Sequence, residues 1–529
     1  MPLPYSTYPS RRSPVLARNA VATSQPLATQ AGIAMLAKGG NAVDAALAAA
    51  ITLTVVEPTG NGLGSDAFCI LWDGKALHGL NASGRSPAGW MPERFGALGA
   101  MPERGWETVT VPGAVSAWAD LSARFGRLPF SDLFAPAIDH AERGFLVSPV
   151  IATLWQRGAT ELRDQPGFAA AFMPNGRAPR TGELFRIPAL AASLRAIADT
   201  KGEAFYRGAL AERIADFARR HDAALSTDDL ARHRNDWCGT LSQGFGGVAL
   251  HEIPPNGQGI AALMALGILA ETDFTGLPPD SVEALHLEIE AIKLAFADLT
   301  AYVADAAHMT GVTPTDLLQP DYLRRRAKTI DRNRAQAFGP GKPDRGGTVC
   351  LAATDESGMM VSYIQSNYAG FGSGVVVPAT GISLQNRGCG FVLEAGHPNR
   401  VGPSKRPFHT IIPGFVMQGA APLMAFGLMG GAMQAQGHVQ MVVRTMLWNQ
   451  DPQTAADAPR WRFISSHDVA VEPTMGESTI AGLRERGHRI TVEAPDSAFA
   501  FGGAQLIRRI EGGYIAGSDP RKDGCAIGF

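Results

Sequence analysis

A glycine pair followed by a threonine and an apolar run constrains this chain of 529 residues more than any other feature. Gly346-Gly347-Thr348 leads directly into Val349 to Thr354, whose apolar character predicts a buried β-strand. If the chain is cut between Gly347 and Thr348, the threonine hydroxyl gains an α-amine on its own residue. That amine, with a pKa of roughly 7.7 to 8.0, can accept the hydroxyl proton. A threonine that opens a strand after a glycine turn is also ordinary, so the other motifs must decide.

The composition indicates a compact protein rather than a disordered, fibrous or nucleic-acid-binding one. Apolar residues make up 45% and charged residues 18% of the chain, and the formal net charge is −2. The five cysteines form no CxxC pair, which argues against a disulfide framework or a zinc knuckle. The start of the sequence lacks the apolar core of a signal peptide, and no apolar run is long and unbroken enough for a membrane span. We expect a cytoplasmic protein without a cofactor, a metal, nucleic acid or membrane partner.

Alternating helix and strand patterns predict stacked α/β layers. The helix signals cover Ser24 to Leu36, a second helix capped by Asn41, Ala114 to Phe125, Ile187 to Ala198, Gly257 to Leu269 and Ser281 to Tyr302. The strand signals cover Ala67 to Trp72, a partner strand after the turn Asp73-Gly74, and a hairpin from Thr348 that turns at Asp355 to Gly358. The polar stretch from Arg332 to Gly346 is interpreted as a flexible segment leading to the cut.

A second glycine pair, Gly430-Gly431, follows an apolar strand. Backbone N–H groups at such a pair can point at a developing oxyanion and stabilise it. A simple turn from a strand into a helix is the competing interpretation. The glycine-rich loop from Gly60 to Gly64 does not indicate nucleotide binding, because a strand rather than a helix follows it.

Cys350 is a rival nucleophile, because it lies two residues after Thr348 and would share its face of the strand. No His or Asn arrangement singles it out, so a small buried apolar side chain is the better interpretation. The histidines, including His409 and His438, are isolated in sequence and show no metal-ligand spacing.

Together the motifs resemble the γ-glutamyltransferase (γ-glutamyltranspeptidase) family of N-terminal nucleophile hydrolases. The resemblance extends over nearly the whole chain. In order, its motifs are Gly39 to Ala46, Val111 to Val115, Ile253 to Gly259, the Thr348 region, Lys405-Arg406-Pro407, Gly430-Gly431 and Gly517 to Arg521.

The resemblance implies a four-layer αββα fold that is made as one inactive precursor. Cleavage before Thr348 would give a large subunit, 1–347, and a small subunit, 348–529, that stay associated, with a dimer of these heterodimers as one arrangement. Thr348 would attack an amide and form an acyl-enzyme, which water or an acceptor amine resolves. By position, Ser366 matches the family's hydroxyl residue that supports the nucleophile, and Gly430-Gly431 match its oxyanion glycines.

The departures from the family pattern concern the acyl pocket. Ser83 stands where the family has an arginine for the substrate α-carboxylate, with Arg85 two residues further on. Gly390 replaces the aspartate that reads the α-amino group. The family's asparagine, glutamine and paired serines are replaced here by Tyr368, Arg387, His409 and Thr410, which join Arg85 as candidate substrate-binding residues.

These departures predict the acyl group of the substrate. A residue that reads an ammonium has been lost, and Arg387 adds a guanidinium that suits a carboxylate. An ion pair that turns Arg387 away from the site is the competing interpretation. We expect a self-processing amidohydrolase acting on oxamate-like or glutaryl-like amides. The alternatives are a γ-glutamyltransferase or glutathione hydrolase with a rearranged pocket, and an uncleaved binding protein without activity.

Overall fold

A computed structural model describes residues 12–338, 347–493 and 500–529, with residues 347–349 described by their backbone alone. The helices are α1 (Pro26–Ala37), α2 (Ala42–Val56), α3 (Ala114–Phe125), α4 (Ala135–Arg143), α5 (Pro149–Leu162), α6 (Phe168–Phe172), α7 (Pro188–Thr200), α8 (Glu203–Tyr206), α9 (Ala209–Arg219), α10 (Thr227–Arg232), α11 (Gly259–Ala270), α12 (Val282–Tyr302), α13 (Pro314–Leu317), α14 (Pro320–Ala327), α15 (Met433–Val442), α16 (Pro452–Asp457) and α17 (Glu477–Glu485).

The strands are β1 (Val15–Ala17), β2 (Ala20–Thr23), β3 (Asp66–Trp72), β4 (Leu77–Ala82), β5 (Phe145–Leu146), β6 (Leu184–Phe185), β7 (Asp236–Trp237), β8 (Leu241–Phe245), β9 (Val248–Glu252), β10 (Gly347–Thr354), β11 (Met360–Tyr368), β12 (Val376–Val377), β13 (Ile382–Ser383), β14 (Pro413–Gln418), β15 (Ala421–Leu428), β16 (Trp461–Ser465), β17 (Asp468–Val471), β18 (Arg489–Val492), β19 (Ala504–Ile510), β20 (Gly513–Ser518) and β21 (Cys525–Gly528).

Two seven-stranded sheets form the centre of the molecule. One has the strand order β1-β20-β19-β15-β14-β9-β8 and the other the order β21-β2-β10-β11-β3-β4-β7. All neighbouring pairs in these two sheets are antiparallel. Each sheet therefore interleaves strands from before and after the Gly347-Thr348 junction.

The two sheets stack face to face. Ser362 on β11 donates a hydrogen bond from Oγ to the carbonyl oxygen of Phe426 on β15, at 2.7 Å. The next residue of β15, Gly427, has no Cβ, and the buried Cys350 side chain of β10 packs against its backbone. Gly427 therefore lets the sheets approach closely at this point.

Helices cover the outer faces of both sheets. The helix α2 is buried along its whole length against β10 and β11, and its many alanines permit that close approach. On the other side α11 packs against β8 and β9, and α15 packs against β15. The result is the expected four-layer αββα arrangement of the N-terminal nucleophile hydrolases. Among the helices of the described ranges, none combines the length and the apolar character that crossing a membrane requires.

The local sequence signals explain most helix ends. Asn41 caps α2 through its side-chain oxygen, which accepts from the N–H groups of Val43 and Asp44. The helix signal begins at Ser24, the type of residue that often caps a helix, but Ser24 does not cap α1. Gln25 provides that cap, because the Ser24 hydroxyl instead donates to the buried Glu57 carboxylate at 2.6 Å.

Candidate active site

The Gly347-Thr348 junction opens β10, a central strand between β2 and β11. Gly347 pairs with Tyr368 and Val349 with Gln365, so the register shifts by one residue at Thr348. Such an irregularity locally redirects a strand. Gly346 and the Thr348 side chain lie outside the described part of the chain.

Ser366 lies beside this junction on the neighbouring strand β11. It falls between Gln365 and Tyr368, the two partners of the junction, and its side chain is fully buried. Its hydroxyl oxygen accepts a hydrogen bond from the Tyr368 N–H at 2.7 Å. The fold thus brings Ser366 next to the backbone of Thr348.

Gly430 and Gly431 form the turn from β15 into α15. Their φ angles of 116° and 61° lie in the left-handed region that favours glycine. Their carbonyl oxygens accept from the N–H groups at the start of α15, both at 3.1 Å. Within the described ranges, neither glycine N–H donates a hydrogen bond. The turn therefore serves as a strand-to-helix connection and still leaves two backbone donors.

Gln258, at the start of α11, fixes this turn. Its Nε2 donates to the carbonyl oxygen of Gly431 at 2.7 Å and to that of Thr410 at 2.5 Å. The glycine turn and the segment that carries Thr410 are therefore held together by one buried amide.

A cavity of about 840 Å³ adjoins these residues. Its polar lining includes Gln258, Tyr368 and Thr410, and Ala432 lines it directly after the glycine pair. Its apolar lining is contributed by separate parts of the chain: Phe296, Leu299, Val303, Phe391, Phe408 and Phe463. A cavity lined by apolar side chains and a few polar groups suits a small organic ligand.

Arg387 lies directly behind two residues that line this cavity. Its Nη1 donates to Thr410 Oγ1 at 2.8 Å, and its guanidinium carbon stacks 4.6 Å from the centre of the Tyr368 ring. Only 1% of the residue is exposed, and its Nε and Nη2 have no hydrogen-bond partner among the described residues. Burial lowers the pKa of Arg387 to about 10, and Asp66 is the main charge opposing that shift. Arg387 thus stays cationic at neutral pH.

Tyr368 adopts a φ of 80°, which is unusual for a residue with a side chain. Such a conformation costs on the order of 1 to 3 kcal/mol and is tolerated where the surroundings enforce it. Here the strand partner Gly347, the Ser366 hydroxyl and the Arg387 guanidinium all contact this residue. The Tyr368 ring stacks on Arg387, and the residue lines the cavity.

His409 pairs with a buried acid that the sequence analysis did not single out. Asp66 Oδ2 lies 3.2 Å from His409 Nε2, and both side chains are fully buried. Burial, together with Arg387 and Arg406, lowers the pKa of His409 well below its usual value. The imidazole is therefore neutral, and because its Nδ1 accepts from the Ile411 N–H at 3.4 Å, its ring hydrogen lies on Nε2 and faces Asp66.

The candidate Arg85 and its neighbour Ser83, in the loop after β4, point elsewhere. Arg85 Nη2 lies 3.6 Å from Asp236, and more than a third of its side chain is exposed. Ser83 is buried; its hydroxyl donates to Asn81 at 2.7 Å and its carbonyl accepts from Arg406. The structure therefore groups Arg387, Tyr368, His409 and Thr410, and it directs the Arg85 guanidinium to a surface carboxylate.

One set of side chains in the described ranges has metal-ligand spacing, although the sequence suggested none. The ligand atoms of His286, Glu290 and His488 lie within 4.8 Å of one another. The two imidazoles are hydrogen-bonded at 2.8 Å, and Glu290 already pairs with the Lys293 ammonium at 2.6 Å. Lys293 supplies the positive charge that a metal would bring, so we interpret the set as a buried hydrogen-bonded cluster.

Sequence reasoning missed Asp66 and Gln258. Asp66 is a charged residue that opens an otherwise apolar buried strand, and that placement is itself a signal. Gln258 was visible only as part of a family motif, because its partners lie 152 and 173 residues away in sequence.

Two stacked antiparallel sheets between helical layers, with a central strand that begins at the Gly347-Thr348 junction, define the class of N-terminal nucleophile hydrolases. The family model of gamma-glutamyltranspeptidase matches residues 28–529. The chain therefore belongs to the gamma-glutamyltranspeptidase family and is an enzyme.

Individual relatives narrow this description. The chain is 35% identical over 527 residues to the glutathione hydrolase-like YwrD proenzyme of Bacillus subtilis, covering 98% of this chain and 100% of that protein. It is 37% identical over 519 residues to the oxamate amidohydrolase proenzyme of Klebsiella pneumoniae, covering 95% and 97%. A crystal structure of cephalosporin acylase from Bacillus halodurans matches with a TM-score of 0.95 and 45% identity, covering 100% and 99%. Together these relatives identify the chain as a self-processing amidohydrolase of the family.

Proposed function

We propose that this enzyme hydrolyses amides whose acyl group carries a carboxylate and lacks an α-amino group. Monoamides of small dicarboxylic acids, such as oxalyl or glutaryl amides, are the substrate class. The observation that carries the proposal is the unpartnered Nε and Nη2 edge of Arg387, buried beside Tyr368 and Thr410.

That edge is the side of a guanidinium that forms a two-pronged bond with a carboxylate. Nη1 is already held by Thr410, so the group is oriented before a ligand arrives. A buried ion without a partner costs several kcal/mol, and a bound carboxylate would offset that cost. Both unpaired N–H groups therefore support a ligand that is anionic and planar.

The reaction follows from the nucleophile and the glycine turn. The α-amine of Thr348 would take the hydroxyl proton, and the hydroxyl oxygen would attack the amide carbon. The N–H groups of Gly430 and Gly431 would stabilise the oxyanion, a contribution of about 3 to 4 kcal/mol where one such donor has been removed elsewhere. The amine leaves with the proton, and water then hydrolyses the acyl-enzyme to free the acid and the threonine hydroxyl.

The relatives are consistent with this substrate class. One bears the name oxamate amidohydrolase, and oxamate is a monoamide with a carboxylate and no α-amine. Another is a cephalosporin acylase. The apolar side chains that line the cavity would then accommodate the leaving amine, while Thr410 and Tyr368 lie next to the Arg387 guanidinium.

A γ-glutamyl donor is the second candidate, since one relative is named glutathione hydrolase-like. Asp66 is the acid that could read its α-ammonium. However, Asp66 Oδ1 already accepts from the N–H groups of Gly84 and Gly113, and Oδ2 faces His409. Gly390, at the family's position for this contact, offers no side chain. The geometry therefore favours the acyl group without an amine.

Paired substrates test the proposal. We expect kcat/KM for glutaryl-p-nitroanilide to exceed that for γ-glutamyl-p-nitroanilide by at least about tenfold. Arg387→Gln should lower the glutaryl value by about tenfold to 150-fold, the equivalent of about 1.5 to 3 kcal/mol for a lost charged hydrogen bond. Arg387→Lys, which keeps the charge and loses the fork, should recover only part of it.

The competing assignment is tested with Arg85→Gln. If this substitution and not Arg387→Gln removes the preference for glutaryl amides, Arg85 is the carboxylate-binding residue and our assignment is wrong. Faster cleavage of γ-glutamyl-p-nitroanilide than of glutaryl-p-nitroanilide by the wild-type enzyme would establish the second candidate instead.

A further inference from the structure

The fully buried carboxylate of Asp66 has no part in the reaction described so far. It opens β3, where Oδ1 accepts from the N–H groups of Gly84 and Gly113, both at 3.1 Å. Its Oδ2 lies 3.2 Å from His409 Nε2. Every contact of this acid is thus made to neutral groups, and no ion pair with Lys or Arg forms within the described residues.

The charge that balances Asp66 lies beyond its contacts. Arg387 is the cation that most favours the ionised acid, followed by Arg406. Conversely, Asp66 is the main acid that favours the charged form of Arg387. The Tyr206 hydroxyl and the neutral His409 also face the acid. Asp66 and Arg387 therefore compensate each other without an ion pair: Asp66 contacts His409, and Arg387 contacts the next residue, Thr410.

We propose that the Asp66–His409 pair takes up one proton when a carboxylate binds to Arg387. This inference rests on the proposed carboxylate site and deepens it, because it assigns Asp66 the role of a positioning residue that keeps the charge of that site constant. The bound ligand brings one negative charge next to a single guanidinium. Without proton uptake, two buried anions would depend mainly on Arg387, because the second nearby cation, Arg406, is already paired with Asp236.

The acid is suited to this role. Burial raises the pKa of Asp66 to about 7, and Arg387 opposes that shift. A carboxylate on Arg387 would cancel much of this opposition, so the pKa of the pair would rise further. The added proton comes from solvent and is shared by the two coupled groups, which titrate as one unit.

The sign of the pH dependence follows. Below about pH 7 the pair already holds the proton, so carboxylate binding is independent of its titration. Above that pH the proton must be taken up on binding, so the affinity falls. We expect Kd to rise by up to about tenfold per pH unit until the pKa of the complex is reached.

Calorimetry measures the proton directly. Glutarate is titrated into the cleaved enzyme at pH 8 in phosphate and in Tris, two buffers that differ strongly in ionisation enthalpy. A difference in apparent binding enthalpy that corresponds to nearly one proton taken up supports the proposal. An equal enthalpy in both buffers overturns it. This wild-type measurement is decisive even if the variants fail to fold.

Asp66→Asn, confirmed to be cut and folded, should bind glutarate with no proton uptake and with a Kd that no longer depends on pH between 7 and 9. Glu288→Gln is the matched control. Glu288 is a buried acid whose pKa burial also raises to about 7, but it contacts Trp461 and faces Arg444. That variant should retain the uptake. Loss of uptake in Glu288→Gln, or its retention in Asp66→Asn, would assign the proton elsewhere.

The experiments also distinguish an error in the proposed carboxylate site from an error in the role of Asp66. If glutarate, succinate and oxalate all fail to bind at pH 6, or if Arg387→Gln binds them as well as the wild type, the carboxylate site itself is wrong. If binding depends on Arg387 but takes up no proton, the carboxylate site stands and only the role of Asp66 is overturned.

Discussion

Gln258 joins two halves of the site through a single side-chain amide. Because its Nε2 holds the carbonyls of both Gly431 and Thr410, it sets where the proposed oxyanion donors lie relative to the proposed carboxylate site. Gln258→Leu should lower kcat by about tenfold to a hundredfold, since small displacements of a catalytic group have effects of this size. The steady-state kinetics of the cleaved variant measure it.

The matched control is Gln440→Leu. Gln440 is another buried glutamine, and its Nε2 donates to the Trp461 carbonyl at 3.0 Å. An equal loss of kcat in both variants would mean that Gln258 stabilises the fold in general and does not position the turn.

The left-handed conformation of Gly430 and Gly431 makes proline substitution a poor test of their backbone N–H groups as oxyanion donors. Replacement by proline removes the N–H but also requires a φ near −65°, which this turn cannot adopt. Inactive proline variants would therefore report a distorted turn as well as a missing donor. Gln258→Leu disturbs the same turn without changing its backbone.

At the scale of elements, the end of β20 and the start of β16 are joined by a fully buried ion pair. Arg460 Nη2 lies 2.5 Å from Asp519 Oδ2, and neither side chain is exposed. Burial alone would raise the pKa of Asp519, but Arg460 and Arg521 outweigh it and lower the pKa to about 2. A depressed pKa means that this stabilisation is present above about pH 4 and is lost as the pH falls through 2.

Breaking this pair should be costly. We expect Asp519→Asn to lower the free energy of unfolding by about 3 to 5 kcal/mol, because Arg460 is left buried without its main partner. Denaturant unfolding at pH 7 measures the loss. Asp468→Asn, which breaks the exposed pair with Arg489, should cost at most about 1 kcal/mol. Similar losses in the two variants would contradict the assignment.

Local sequence signals predict individual helices and strands well, but they do not predict how the strands pair into sheets. The pattern from Ala114 to Phe125 predicts the bounds of α3, and the pattern from Ser281 to Tyr302 predicts α12 to within one residue at its start. These signals act over a few residues. The order β21-β2-β10 joins strands that are hundreds of residues apart, and no local pattern encodes that pairing.

The candidate site likewise has residues that the sequence could reveal and contacts that only the folded structure reveals. Arg387 and His409 could be noticed as departures from a family motif. Two further facts depend on how three distant segments pack: the Nε and Nη2 atoms of Arg387 have no hydrogen-bond partner among the described residues, and Asp66 compensates the charge of Arg387. Burial patterns in the sequence do not determine this packing.

For the whole molecule, the first prediction concerns the cut. Wild-type protein should yield two chains that end and begin at Gly347 and Thr348, whereas Thr348→Ala should remain one chain of 55.8 kDa. The reason is that the threonine hydroxyl must itself attack the Gly347 carbonyl before its amine exists. Intact-mass spectrometry distinguishes the two. A wild-type chain that is active without being cut would contradict the mechanism.

The interleaved sheets predict that the two chains stay together. The strand β2 lies between β21 and β10, so chain 1–347 contributes a strand inside a region otherwise formed by 348–529. Separation would break strand pairing on both sides of β2 and expose the buried core. Size-exclusion chromatography should show both chains in one peak under native conditions and two species only in denaturant. A native peak containing chain 348–529 alone would contradict this.

Because of the same interleaving, we expect the mature two-chain enzyme to refold less readily than its uncut precursor. While the backbone is continuous, the strands on either side of Thr348 find each other at an effective concentration on the order of millimolar. After the cut, reassembly becomes an encounter between two molecules, and its rate depends on how dilute they are. The uncut Thr348→Ala chain should therefore refold at a rate that is independent of concentration, and the mature pair should refold more slowly as it is diluted. Breaking one peptide bond therefore converts a chain that refolds by itself into a two-chain assembly whose recovery after unfolding depends on protein concentration.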